Sequence, residues 1–269
     1  MRKSKKRFAG AAIAAALLFA GCGGSDSASD TTAAPDTTAP AVVEGPKVVA
    51  STSWVAAVAK LAGATDITVI APSNLQHPPD YDPKASDLAA VAEADFILLA
   101  GFEGFAARLK EAAGSTAKVE IVAPEYYPEA LAKEVARLAE VMGLDVAEAE
   151  HNATHFSDHF MEESMRVKEA LSGKTPVVLA HMYVGAWAML GGLEPKATFG
   201  PAPLTPNDIV TLSKNKPTVI LENKHMPVGS GLIEATKATA IEMVNFPGND
   251  LDLDAVVSAN ADALIAAIK

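Results

Sequence analysis

Three of the chain's six histidines fall where an apolar run ends, and imidazoles placed there could meet around a metal ion. His77 lies in the loop after the run 66–71, and His181 directly follows the run 176–180. His225 closes Glu222-Asn223-Lys224-His225, which follows the run 217–221, and Glu103 follows a further run, 95–100. Neutral imidazole and carboxylate are borderline-to-hard donors suited to Zn²⁺ or Mn²⁺. Ligands of open parallel sheets bind beyond the carboxyl ends of the strands, so donors at strand exits can converge. Glu222 reads either as a ligand or as a carboxylate that orients one from behind. Glu103 reads as a loop glutamate facing water. His151, His155 and His159 stand at i, i+4 and i+8, along one edge of a helix, and i, i+4 histidine pairs can hold a metal. Phe156 and Phe160 mark the packed face beside them, so His159 reads as solvated surface, with either His151 or His155 as a further ligand. The metal-ligand candidates are therefore His77, His181, His225, Glu222 and His155.

Two stretches of alternating strand-like and helix-like segments must position these side chains. In the first, residues 47–50, 66–71, 95–100 and 119–122 read as strands. Helical spacing occupies residues 53–61 and 88–93, with Asp87 placed to cap the second of these helices. Residues 128–142 form the best helix, with Leu131, Val135, Leu138 and Met142 on one stripe and Gly143 where a C′ residue belongs. Tyr126 and Tyr127 read as staples at its start. The second stretch has strands at 176–180, 217–221 and 240–244, and helices at 206–213, 231–237 and 254–268. Continuous apolar runs separated by helices are what a parallel sheet covered on both faces produces. Residues 154–171 carry no strand signal; Phe156, Phe160, Val167 and Leu171 share one face, giving a helix of about 27 Å. The expected fold is thus α/β. Two lobes (46–150 and 174–269), each a mainly parallel sheet flanked by helices, are joined by one connecting helix (151–173). The site lies in the interlobe cleft, where ligands commonly bind.

The first 45 residues carry a different message. Arg2-Lys3-Ser4-Lys5-Lys6-Arg7 precedes an apolar run, residues 8–18, too short to span a bilayer. Ala20-Gly21-Cys22 follows, and Cys22 is the chain's single cysteine. The arrangement resembles a bacterial lipobox, so residues 1–21 read as a lipoprotein signal peptide and Cys22 as the lipidated first residue of the mature chain. Residues 22–45, rich in Gly, Ser, Thr, Ala, Asp and Pro, read as a disordered tether whose ends lie about 25 Å apart. An extracytoplasmic protein is expected, lipid-anchored to the cell membrane, or periplasmic or on the outer membrane.

Composition narrows the function. The signal segment takes five of the 22 Lys/Arg and none of the 33 Asp/Glu, leaving 17 basic residues and a formal net charge of −16. That argues against nucleic acid and against an electrostatic grip on anionic lipid. Without a cysteine beyond Cys22, the body has neither internal disulfides nor thiolate metal sites. A secreted metal-dependent hydrolase could use the same histidines, but the chain has no HExxH, Gly-x-Ser-x-Gly or paired-carboxylate motif. A binding protein is expected, not an enzyme.

Longer pieces of sequence sharpen this. Val48-Val49-Ala50-Ser51-Thr52-Ser53 opens the body. His77, Tyr81-Asp82-Pro83, Ser86-Asp87-Leu88 and Ala94-Asp95 follow in order, then Leu179-Ala180-His181-Met182 and Val219-Ile220-Leu221-Glu222. Together they resemble the solute-binding lipoproteins of zinc/manganese ABC importers, loosely over residues 47–269. The resemblance implies two α/β lobes joined by a helix, a divalent metal as bound solute, an importer permease as partner, and a monomer. It carries ligand status onto His77 and His181. The chain departs from the family pattern by two extra residues between His77 and Tyr81 and by the absence of Asp-Pro-His-x-Trp. It also has Val244-Asn245-Phe246-Pro247-Gly248 where many members place a late aspartate. These departures mark a divergent branch, with His225 as a replacement ligand. A receptor for a metal chelate, such as a siderophore or corrinoid, is the alternative.

Overall fold

The computed structural model describes residues 45–268 except Pro124. The signal peptide, Cys22 and all of the tether but Gly45 lie outside the described residues. The first lobe runs β1 (Lys47–Ala50), α1 (Ser53–Leu61), β2 (Asp66–Val69), α2 (Ala85–Ala92), β3 (Phe96–Leu99), α3 (Ala106–Ala112), β4 (Lys118–Ile121) and α4 (Pro128–Met142). Helix α5 (Val146–Leu171) leads into the second lobe. There follow β5 (Val178–His181), β6 (Ala197–Phe199), α6 (Pro206–Ser213), β7 (Val219–Asn223), α7 (Ser230–Thr236), β8 (Thr239–Met243) and α8 (Leu253–Ile268). Short 3₁₀ turns cover Pro78–Asp80 and Gly185–Gly191.

Each lobe holds a four-stranded sheet, all parallel, in the orders β2-β1-β3-β4 and β6-β5-β7-β8. The register sets Val48 opposite both Ile67 and Phe96, and Leu179 opposite both Ala197 and Ile220. Central strands β3, β5 and β7 are buried along their whole length, which explains their unbroken apolar runs. Edge strands β2 and β4 are largely exposed or half-buried. In both sheets the strand order reverses beside the first strand, between β1 and β3 and between β5 and β7. A crevice opens at the carboxyl ends there.

One core passes through both lobes. Trp54, Leu98, Leu131 and Leu138 join Phe156, Phe160 and Val167 of α5, then Val178, Trp187, Leu221, Val257 and Leu264. Smaller cores lie under the outer helices, around Val49, Ile97 and Leu109 in one lobe and Leu179, Ile220 and Leu232 in the other. Helix α5 is the shared spine, and it is longer than the expected connecting helix. Asp145 caps it, accepting from the N–H groups of Ala147 and Glu148 at 2.9 and 3.2 Å. Its first two turns bury only Ala149 and Ala153, small residues that leave little periodic signal. A second departure is local: Asp87 lies inside α2, and its carboxylate accepts from the Lys84 N–H at 2.7 Å and the Tyr81 hydroxyl at 2.9 Å.

Candidate metal site

On the first lobe, β1 delivers Thr52, whose hydroxyl caps α1, and Trp54 in the first turn of that helix. The loop after β2 carries Gln76 and His77 to the same side. His77 Nδ1 lies 2.8 Å from Asp80 Oδ2 but without hydrogen-bond alignment. A carboxylate beside the far ring nitrogen is the usual companion of a metal-bound histidine. The Gly104 N–H, donating to Pro79 O at 3.1 Å, ties this loop to the exit of β3. Glu103 does not face water there. It is buried and accepts from the N–H groups of Ala100 and Gly101 at 2.7 and 2.8 Å, and from the Ser51 hydroxyl. Tyr126 does more than staple α4. It stands between Trp54 and Trp187, with ring centroids 4.0 and 4.7 Å away. Its hydroxyl donates to Asn245 of the other lobe, reaching the carbonyl oxygen at 2.7 Å and Oδ1 more closely. Burial holds the phenol well above its ordinary pKa, so it stays a donor.

On the second lobe, His181 ends β5 and is fully buried. Its Nδ1 accepts from the Tyr183 N–H at 3.2 Å, which assigns the ring proton to Nε2, and Nε2 is buried without a partner. The ring lies against Gly200 (φ +83°), where a Cβ would sit 2.7 Å from it. Desolvation lowers its pKa, so the imidazole is neutral at pH 7. His225 stacks on Phe246, centroids 3.9 Å apart and planes at 26°, and its buried Nε2 has no partner. Burial first, then the Lys224 charge, lowers its pKa as well.

Glu222 is also buried, but its carboxylate serves its own loop. Oε1 accepts from the Asn223 and Val228 N–H groups, both at 3.2 Å, and Oε2 from the Gly229 N–H at 2.7 Å. Burial raises its pKa against the pull of these donors. The structure does not bring His155 to the cleft. Its side chain is 71% exposed and lies 3.4 Å from Asp254 Oδ2, where α5 packs on α8. His151 is exposed, and His159 contacts Ser258 Oγ at 2.9 Å rather than standing free in water.

Between the lobes lies a cavity of about 600 Å³. His77 reaches it from one lobe and His225 from the other; Trp54, Phe102, Tyr126, Tyr183 and Phe246 form an aromatic wall. His181 is just beneath, adjoining the lining residues Met182 and Tyr183. Among the described residues, no three His, Cys, Asp or Glu side chains already form a metal-binding group. The donor chemistry nonetheless fits a transition metal: His225 buries an Nε2 that no hydrogen bond satisfies, and His77 lines the same cavity with a carboxylate beside its Nδ1.

Neither a protein-family model nor a curated protein sequence matches the chain at a significant level. Solved structures do. The laminin-binding protein Lbp of Streptococcus pyogenes superposes with a TM-score of 0.61 at 18% identity, covering 84% of this chain and 100% of that one. The solute-binding protein FpvC of Pseudomonas aeruginosa in complex with Mn²⁺ gives 0.64 at 17% identity, covering 83% and 98%. ZnuA gives 0.62 at 17% identity, covering 84% and 100%. This chain has their two-lobed α/β fold.

Within that fold, the cavity sits where topology alone would put it. Thr52, Ala100 and Phe102 leave β1 and β3, while Met182, Tyr183, Asn223 and His225 leave or end β5 and β7. These are the two points of strand-order reversal, facing each other. Sequence reasoning placed His77, His181 and His225 at such exits but passed over Asn223, Asn245 and the aromatic wall. Their signal was position, since each follows or closes a strand.

Proposed function

We propose that this chain is a divergent extracytoplasmic solute-binding protein that captures a divalent transition metal, Zn²⁺ or Mn²⁺, between its lobes and delivers it to an ABC importer. The reading rests on one observation: His77 and His225, from opposite lobes, reach one cavity in a fold shared with FpvC bound to Mn²⁺. His181 lies one residue from the lining, its ring buried against Gly200 and its Nδ1 held by the Tyr183 N–H. Glu222 holds the loop that carries His225. Lipidation at Cys22 would keep the protein beside the permease, with residues 22–45 as its leash.

The experiment is a titration of chelator-stripped protein with Zn²⁺ and Mn²⁺ by calorimetry, beside His77→Ala and His225→Ala. Micromolar or tighter binding, weakened at least a hundredfold by each substitution, is the expected result. Binding no tighter than millimolar, or binding that survives both substitutions, removes the proposal. In cells, Cys22→Ser should release the protein from the membrane fraction.

A further inference from the structure

The cavity is large for a lone divalent ion, and its polar groups are hydroxyls, amides and imidazoles. A metal with six waters fills roughly 180 Å³, at about 30 Å³ per water. The space here is about 600 Å³, within the range of roughly 300–1,000 Å³ typical of organic ligands. None of the described residues lining it is Asp, Glu, Lys or Arg. The two buried carboxylates at nearby strand exits, Glu103 and Glu222, are each engaged by backbone N–H groups at both oxygens. A divalent ion held by imidazoles would keep most of its charge in a largely apolar space, since the Asp80 carboxylate behind the His77 ring is 80% exposed, and a buried charge is costly unless paired.

What the lining does offer is flat apolar surface and hydrogen-bond donors. The aromatic wall supplies the first. For the second, Asn223 Oδ1 accepts from the His225 N–H at 3.0 Å, and Asn245 Oδ1 accepts from the Tyr126 hydroxyl. The donor half of each amide is what remains for a solute. Amide donors and imidazole nitrogens together suit an oxygen-rich anion carrying a metal.

We propose that the cargo is an electroneutral metal complex: a divalent transition metal carried by an organic chelator with anionic oxygens and planar rings. The chelator's oxygens cancel the metal's charge and accept from Asn223 and Asn245, its rings lie on the aromatic wall, and His77 or His225 completes the coordination. This rests on the reading that a metal is the solute, and adds what accompanies it.

The two ideas separate in one experiment on the full chain. Calorimetry compares Zn²⁺ in a non-coordinating buffer, Zn²⁺ in excess picolinate, which forms a neutral 1:2 complex with two flat rings, and Zn²⁺ in nitrilotriacetate. A site for the bare ion must lose apparent affinity in picolinate, because the chelator competes. A site for the complex gains it. The expected result is an apparent dissociation constant for total zinc at least tenfold lower in picolinate than in buffer, with no gain in nitrilotriacetate. Phe102→Ala, which trims an exposed rim ring, should weaken the picolinate complex about tenfold. Weaker binding in picolinate than in buffer overturns this inference and leaves the metal receptor standing. Picolinate binding equally well without zinc also overturns it. Absence of binding in all arms removes the metal receptor itself.

Discussion

Replacing Glu222 by glutamine separates two roles that a strand-exit carboxylate can play. In the structure the carboxylate accepts three backbone N–H groups from residues 223–229, the segment that presents Asn223, His225 and Met226 to the cavity. Glutamine keeps one acceptor oxygen and turns an NH₂ group toward at least one of those donors. A hydrogen bond to a charged group contributes about 1.5–3 kcal/mol. Relief from burying the charge, the same burial that raises the Glu222 pKa, offsets part of the loss. A net cost of about 2–3 kcal/mol follows, or a Tm lower by about 5–10 °C at roughly 2–4 °C per kcal/mol for a domain of this size. Scanning calorimetry reads the Tm, and titration well below it reads metal affinity of the folded protein. The account expects the Tm to drop while affinity changes less than about tenfold, since the ligands remain. An unchanged Tm with a hundredfold loss of metal affinity would refute the reasoning, because it would make Glu222 a ligand and not a loop anchor.

Three further outcomes follow from the same contacts. Tyr126→Phe removes the hydroxyl that reaches Asn245 across the lobes; at about 1 kcal/mol per hydrogen bond, a thermal melt should fall by about 2–4 °C, and an unchanged melt would show that the tie contributes nothing. Gly200→Ala puts a methyl 2.7 Å from the His181 ring on a backbone at φ +83°; a strain of about 1–3 kcal/mol should lower Tm by at least ~2 °C and weaken metal binding, read by melt and titration. His181 and His225 have folded pKa values below the unfolded value of about 6.5, so the stability they confer is present above that pH and is lost as pH falls through their lowered folded values. Glu222, shifted upward, has the opposite sign: its contribution is present at low pH and lost as pH rises through its raised value. Between pH 7.5 and 5.5 the two histidines should dominate and Tm should fall, with metal affinity falling in the same direction because ligand imidazoles must be neutral. Calorimetry showing a flat or rising Tm over that interval would contradict this.

Much of the architecture was legible because burial on both faces writes itself into sequence. Strands β3, β5 and β7 read as apolar runs because burial on both faces leaves polar residues only at the ends of β5 and β7, and α4 was bounded correctly by Pro128 and Gly143, the latter at φ 69°. Strand β6 was missed, being three residues long, and so was α3, whose single buried residue, Leu109, leaves no stripe. At the site, strand exits pointed to His77, His181 and His225. What one-dimensional reasoning could not supply was the partner of each polar group. Glu222 and Glu103 turn inward because their loops curl back and offer N–H donors. His155 pairs with Asp254 only because α8 packs beside α5, a contact 99 residues along the chain from its helix-mate His159 to Ser258 as well. Tyr126 is drawn into the cavity wall by Trp54 and Trp187, which no local spacing connects.

X-ray diffraction from zinc-loaded crystals, with anomalous scattering recorded at the zinc edge, bears most directly on the central claim. The account predicts one strong peak in the interlobe cavity, within about 2.1 Å of an imidazole nitrogen of His77 or His225, with density for a non-protein co-ligand beside it when picolinate is present. A peak at His155 and Asp254, or on a surface away from both rings, would contradict it.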